Sequence, residues 1–123
     1  MEKEIEINGI KYVPKDSISY KMAKLNTKGL TYCIVRTYSA GVFAGWYDRK
    51  NKGQEGTVFD ARRIWYWDGA ASLSQLAING TTKPENCKFP EKVSEVDLKQ
   101  IIEIIPCTEK SIKSIESIPV WKQ

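Results

Sequence analysis

No histidine occurs among the 123 residues. That removes the commonest general base near neutral pH, the usual partner of a catalytic nucleophile, and the commonest metal ligand. Cysteine is scarce too. Cys33, Cys87 and Cys107 are odd in number, far apart and never spaced C-x-x-C. Neither a zinc site nor a disulfide framework is indicated, and a reduced, intracellular protein is the simplest expectation. The opening residues Met1-Glu-Lys-Glu-Ile lack the apolar core of a signal peptide, and the longest apolar patches are too short to span a bilayer. P-loop, G-x-G-x-x-G, G-x-S-x-G and H-E-x-x-H patterns are all missing. Asp16, Asp48, Asp60, Asp68 and Asp97 fall into no acid/base or metal pattern. No nucleophile–base pair, metal or cofactor can be nominated, although a missing motif does not by itself exclude an enzyme.

The length suits a single domain, residues 1–123, and a hydrophobic share of 41% supplies a core. A net charge of +4 is mildly basic. It favours anionic ligands but falls short of a dedicated duplex-DNA binder.

The pattern of elements predicts an α+β fold: an N-terminal antiparallel β-sheet of about six strands, followed by two short helices with short strands between them. Residues 4–13 alternate around Asn8-Gly9, a hairpin signal. Residues 14–30 read as a connection with a short helical turn near 20–25. Residues 30–39 and 42–47 read as strands around an Ala40-Gly41 turn. Residues 56–67 form one long strand, or two separated by a bend. Asp68 is the expected N-cap of a helix through Ile78, with Leu73, Leu76 and Ala77 inward and Asn79-Gly80 at its end. Residues 93–105 hold one or two more strands, with Ile101, Ile102, Ile104 and Ile105 as core. Thr108 caps a last helix that turns Ile112, Ile115 and Ile118 inward and stops at Pro119.

The densest chemistry lies in D-A-R-R-I-W-Y-W-D-G, residues 60–69. Aromatic faces beside guanidinium groups suit a planar, anionic ligand such as a nucleotide. In a regular strand Phe59, Ala61, Arg63, Trp65 and Trp67 share one face, while Val58, Asp60, Arg62, Ile64 and Tyr66 share the other. The same tryptophans also read as core, with Arg62 and Arg63 solvated or paired. Arg36 sits inside a hydrophobic strand, which is costly unless it meets an anion, and Tyr38 follows it. The loop of residues 83–90 offers Asn86, Lys88 and Phe89: an amide, a cation and a ring. Lys110 and Lys113 project together from the last helix, as phosphate ligands or as a solvated face.

Four blocks carry a resemblance: Y-C-I-V-R-T-Y-S-A-G-V-F-A-G (32–45), A-R-R-I-W-Y-W-D-G-A-A-S-L-S-Q-L-A (61–77), K-P-E-N-C-K-F-P (83–90) and I-P-C-T-E-K-S-I-K-S-I (105–115). Together they resemble the phage-encoded Thoeris anti-defence protein 1 family over residues 30–121. The resemblance implies a non-enzymatic sponge that binds cyclic ADP-ribose isomers (gcADPR), made by the TIR-domain enzymes of bacterial Thoeris defence, without cleaving them. Some family members also capture cyclic oligonucleotides (CBASS signals) at a separate site. It further implies a homo-oligomer, a dimer or trimer of dimers, with pockets between protomers, in the cytoplasm of the infected bacterial host. No cofactor, membrane or stable nucleic-acid partner is implied. Family pockets sandwich adenine between aromatics and hold the pyrophosphate with arginines of a C-terminal helix. Here Lys110 and Lys113 stand on that helix, and lysine lacks the bidentate fork. On this reading Tyr38, Trp65, Trp67 and Phe89 stack on the ligand, and Arg36, Arg62, Arg63, Lys88, Lys110 and Lys113 meet its phosphates. Rival readings are a single-stranded nucleic-acid-binding module, a nucleotide hydrolase or lyase, and a small phage structural protein.

Overall fold

The computed structural model describes residues 5–7, 10–12 and 26–123. The expected helical turn near residues 20–25 lies outside the described residues. Strands β1 (Ile5–Ile7) and β2 (Ile10–Tyr12) pair antiparallel as the expected hairpin. The main sheet contains β3 (Thr31–Thr37), β4 (Val42–Tyr47), β5 (Gly56–Arg63), β6 (Val93–Leu98) and β7 (Ile101–Pro106). Its order is β6-β5-β4-β3-β7, antiparallel throughout. Helices α1 (Leu73–Asn79) and α2 (Glu109–Ser117) complete an α+β fold. The large sheet therefore has five strands, close to the six expected, with the hairpin forming a sheet of its own.

The two edge strands are consecutive in sequence, and this dictates the shape of the sheet. Only Lys99 and Gln100 join β6 to β7. Three Cα steps reach about 11 Å, whereas the edges of a flat five-stranded sheet lie about 19 Å apart. The sheet must curl until its edges meet. At the junction, Ile101 N–H donates to the Gln54 carbonyl beside β5 (2.8 Å), and Tyr38 N–H donates to the Gln100 carbonyl (2.9 Å). Strands β6 and β7 thus act as one bent strand that closes a small barrel, with Gln100 at φ 55° forming the bend. Cys33, Val35, Phe43, Tyr47, Val58, Ala61, Leu98 and Ile101 fill the interior. The outer face carries Tyr32, Ile34 and Ala44, which pack against Leu76 and Ala77 of α1 and Ile115 of α2.

Strand β5 contains a bulge. Phe43 pairs with Arg63 and Ala44 with Arg62, but Trp46 pairs with Phe59, so Asp60 and Ala61 together oppose Gly45. Asp60 sits at φ 50°, and Val58 and Ala61 come to share the interior. This corrects the strict alternation expected for residues 58–67. The extra residue reverses the face of everything after it, so Phe59 lies outside with Arg62 and Ile64. Strand β5 ends at Arg63, and the chain bends before Trp65.

Helix α1 also starts later than expected. The Ser72 hydroxyl, not Asp68, caps it by accepting from Gln75 N–H. The Asp68 carboxylate accepts from the Asn86 amide and from Gly69 N–H, and those bonds lower its pKa from the usual carboxylate value. Gly80 and Thr108 cap helix termini as expected. Ile102, expected in the core, is exposed because the β3–β7 register shifts there and turns it outward. Among the described residues, no helix is long and apolar enough to cross a membrane.

Two outcomes test this packing. A Cβ at position 45 would lie 2.6 Å from Val58 Cγ1 and 2.7 Å from the Phe59 carbonyl oxygen. Gly45→Ala is therefore expected to lower unfolding free energy by about 2–3 kcal/mol in urea titrations; a loss below about 0.5 kcal/mol contradicts the bulge geometry. Burial pushes the Cys33 thiol up to about 12 and the Cys107 thiol up to about 11. A raised folded pKa stabilises fully below the unfolded value, near 8.5, and that contribution is lost as pH climbs through the folded values. Melting temperature should fall between about pH 9 and pH 12, less steeply in Cys33→Ala. An unchanged slope in that variant contradicts it.

Candidate functional site

Three stretches distant in sequence meet beside the end of β5. Residues 64–66 leave the barrel, residues 87–89 run antiparallel to them, and Val120 pairs in parallel with Phe89. Lys88 N–H donates to the Tyr66 carbonyl (2.8 Å), Trp65 N–H donates to the Lys88 carbonyl (3.1 Å), and Trp121 N–H donates to the Phe89 carbonyl (3.0 Å). This short ribbon leaves Trp65 and Tyr66 exposed, with Lys88 and Trp121 half-buried beside them. The rings of Trp65 and Trp121 stack, with centroids 5.2 Å apart and planes 14° from parallel. The Lys88 ammonium lies 5.2 Å from the Trp65 centroid, 5.6 Å from Trp121 and 5.8 Å from Tyr66. Trp65 remains 60% exposed and Tyr66 48% exposed. Large aromatics left in water beside a cation form a flat π surface with positive charge at its edge.

The ribbon is fastened from within by Arg62. This side chain is 4% exposed and spends its donors on backbone carbonyls. Nη1 donates to Ile115 (2.7 Å), Nη2 to Ile118 (2.6 Å) and Phe89 (3.3 Å), and Nε to Pro90 (3.3 Å). Three of these acceptors are explained by place: Ile115 and Ile118 lie at the end of α2, where the dipole favours a cation and the Ile115 carbonyl also accepts from the capping Ile118 N–H (3.2 Å), and Phe89 belongs to the ribbon. Burial lowers the Arg62 pKa, and the Glu116 carboxylate pulls it back up.

The remaining expected site residues scatter. Arg62 is committed to those carbonyls, which corrects its expected role toward phosphate. Phe89 is 0% exposed beneath the Arg62 guanidinium and has no face for a ligand. Trp67 packs against the outer core and donates from Nε1 to the Ala70 carbonyl (3.2 Å). Arg63 is exposed but lies over the Phe43 ring (4.4 Å) and donates to the Ala40 carbonyl (2.6 Å). Arg36 pairs with Glu103 (2.8 Å) across β3 and β7, and Asn86 is held by Asp68 (3.0 Å). Tyr38 is 77% exposed in the β3–β4 turn. Lys110 and Lys113 are exposed on α2. Of the expected set, Trp65 and Lys88 are brought together at the surface, and Arg62 and Phe89 beneath it. Tyr66 and Trp121 escape sequence reasoning: strand alternation placed Tyr66 opposite Trp65, and Trp121 follows Pro119 in a tail without periodicity.

A small α+β barrel domain with a surface aromatic platform is thus the class that the fold and site define. The chain belongs to the family of a domain of unknown function, DUF6948, whose model matches residues 30–115. That span contains Trp65, Tyr66 and Lys88 but ends before Trp121. No curated protein and no solved structure matches the chain.

Arg62→Met is expected to cost on the order of 3 kcal/mol in urea titrations, because it leaves buried carbonyls unsatisfied. Lys88→Ala is expected to cost below about 1 kcal/mol, since its partners are exposed rings. Equal costs would contradict the division between buried fastener and surface group.

Proposed function

We propose that this chain is a non-catalytic sponge that holds a cyclic ADP-ribose isomer intact on the Trp65–Trp121 platform. The observation that carries this reading is the exposed Trp65 ring stacked on the half-buried Trp121, with the Lys88 ammonium beside it. The outer face of Trp65 offers stacking to an adenine, on the order of 1–3 kcal/mol per base, and Lys88 offers a charge-assisted bond to a pyrophosphate oxygen. The resemblance of the four sequence blocks to the Thoeris anti-defence protein 1 family supports the same ligand class. The biological role proposed is therefore a phage-borne protein that removes the TIR-enzyme signal in the cytoplasm of the infected bacterium.

A flat platform alone does not enclose a ligand. The proposed pocket is completed by a second copy of the chain laid over Trp65, Tyr66 and the exposed Val120. Such an oligomer also gives the otherwise solvated Lys110 and Lys113 a route to the phosphates. A platform of this kind serves single-stranded nucleic acid equally well, and salt separates the two readings: oligonucleotide affinity would fall steeply with added salt.

Isothermal titration with cyclic ADP-ribose isomers is expected to give binding that Trp65→Ala and Lys88→Ala each weaken about tenfold or more. Unchanged ligand should be recovered after heat denaturation of the complex. No heat with any isomer, or recovery of a cleaved product, overturns the reading.

A further inference from the structure

The β5 bulge builds a second concave site on the outer wall of the barrel, away from the platform residues. Trp46 and Phe59 are direct cross-strand partners there. With Asn26, Lys28, Leu30 and Asp60 they line a cavity of about 270 Å³. Trp46 is held edge-on against Tyr32, with centroids 5.2 Å apart and planes at 86°. The rim turn is ordered by the Asn26 side chain, whose Oδ1 accepts from Lys28 N–H (3.0 Å) and Leu30 N–H (2.8 Å).

Asp60 is the informative member. A non-glycine residue at φ 50° is uncommon, and such outliers gather at functional sites. Its carboxylate is exposed, and no described residue donates to it. The other described aspartates each have a donor: Asp48 has Lys50 N–H, Asp68 has Asn86 and Gly69, and Asp97 has Thr57. The bulge thus sets at the lining of a cavity with two aromatic walls a carboxylate that has no donor among the described residues.

The chemistry of this set selects its ligand. Aromatic walls suit a planar ring. An ionised carboxylate only accepts, so the ring must present donors, and its two oxygens suit two adjacent N–H groups. Lys28 on the rim favours a ligand with an anionic end and disfavours a cationic one. A guanine edge offers such a donor pair, whereas adenine offers only its exocyclic amine. We infer that the Trp46–Phe59–Asp60 groove is a second ligand site, selective for the base of a guanine nucleotide. The volume lies just below the usual range for whole ligands, about 300–1,000 Å³, so the base enters and the phosphate remains outside near Lys28. Further along the same segment, Gly29 and Thr31 line a larger cavity of about 580 Å³ with Asp48, Arg49, Lys50 and Lys52, three cations against one carboxylate, which leaves a net positive surface for that phosphate.

This inference is independent of the sponge reading. The test titrates the full chain with GMP, IMP and AMP at fixed salt, followed by calorimetry and tryptophan fluorescence. GMP is expected to bind at least tenfold more tightly than AMP or IMP, IMP lacking the exocyclic amine. Asp60→Asn, which keeps a residue tolerant of positive φ, is expected to abolish that preference while near-UV circular dichroism stays unchanged. Phe59→Leu should weaken GMP about tenfold, and Trp65→Ala should leave it unchanged. Equal affinity for the three nucleotides, no GMP binding at millimolar concentration, or retained preference in Asp60→Asn overturns the inference. Loss of GMP binding in Trp65→Ala alone also overturns it, by moving the ligand to the platform.

Discussion

The buried guanidinium of Arg62 holds the architecture of the site together. It rises from β5 and donates to carbonyls of the 87–90 segment and of the end of α2. Barrel, loop and C-terminal helix are therefore fixed to one another through a single side chain. A guanidinium suits this task because its five donors fan out in one plane and it does not titrate in the physiological range. The Phe89 carbonyl also accepts from Trp121 N–H, so the group that fastens the loop also seats one of the platform rings. Lys88 precedes that carbonyl and Trp65 lies three residues beyond Arg62. The exposed cluster is thus the outward side of an inward anchor.

Closure of the barrel supplies the second constraint. Because two residues join the edge strands, the sheet must bend, and the bend demands the bulge at Asp60 and the missing side chain at Gly45. The interior is then filled by Tyr47, Phe43, Val35 and Val58, leaving the outer wall for helices on one side and for the Trp46–Phe59 groove on the other. The backbone irregularity that accommodates curvature also sets Asp60 at the lining of a cavity. Fold and candidate chemistry share residues here: among the described residues nothing donates to Asp60, whereas the other described aspartates each accept a hydrogen bond.

Much of this was legible in the sequence. Alternation and turn residues marked the strands, and Thr108, Gly80 and Pro119 marked helix ends, because those signals act locally. The aromatic–arginine concentration at residues 62–67 contains Trp65 and Tyr66 of the ribbon and Arg62, which fastens it from within. What was not legible depends on distant segments. Strand alternation separates Arg62 from Arg63 correctly, but nothing local says that Arg62 will meet the end of α2 some 53 residues away. Phe89 reads as a ligand-stacking ring until a guanidinium covers it. Trp121 carries no periodic pattern, and Trp65 becomes its neighbour because both pair with the 87–89 segment, Trp65 N–H at the Lys88 carbonyl and Trp121 N–H at the Phe89 carbonyl. The bulge at Asp60 was hidden because an aspartate in a strand gives no warning that it will adopt a positive φ. Lys110 and Lys113 were read from helical spacing, which establishes that they project together and not what they face.

The central claim is that a planar anionic ligand rests on Trp65 and Trp121. The most direct measurement follows the four indole N–H signals in ¹H–¹⁵N spectra while a cyclic ADP-ribose isomer is added. The account predicts that the Trp65 and Trp121 signals move together and saturate, while Trp67, hydrogen-bonded to Ala70, and Trp46, in its separate groove, stay in place. Movement of Trp46 alone, or of none of the four, would contradict it.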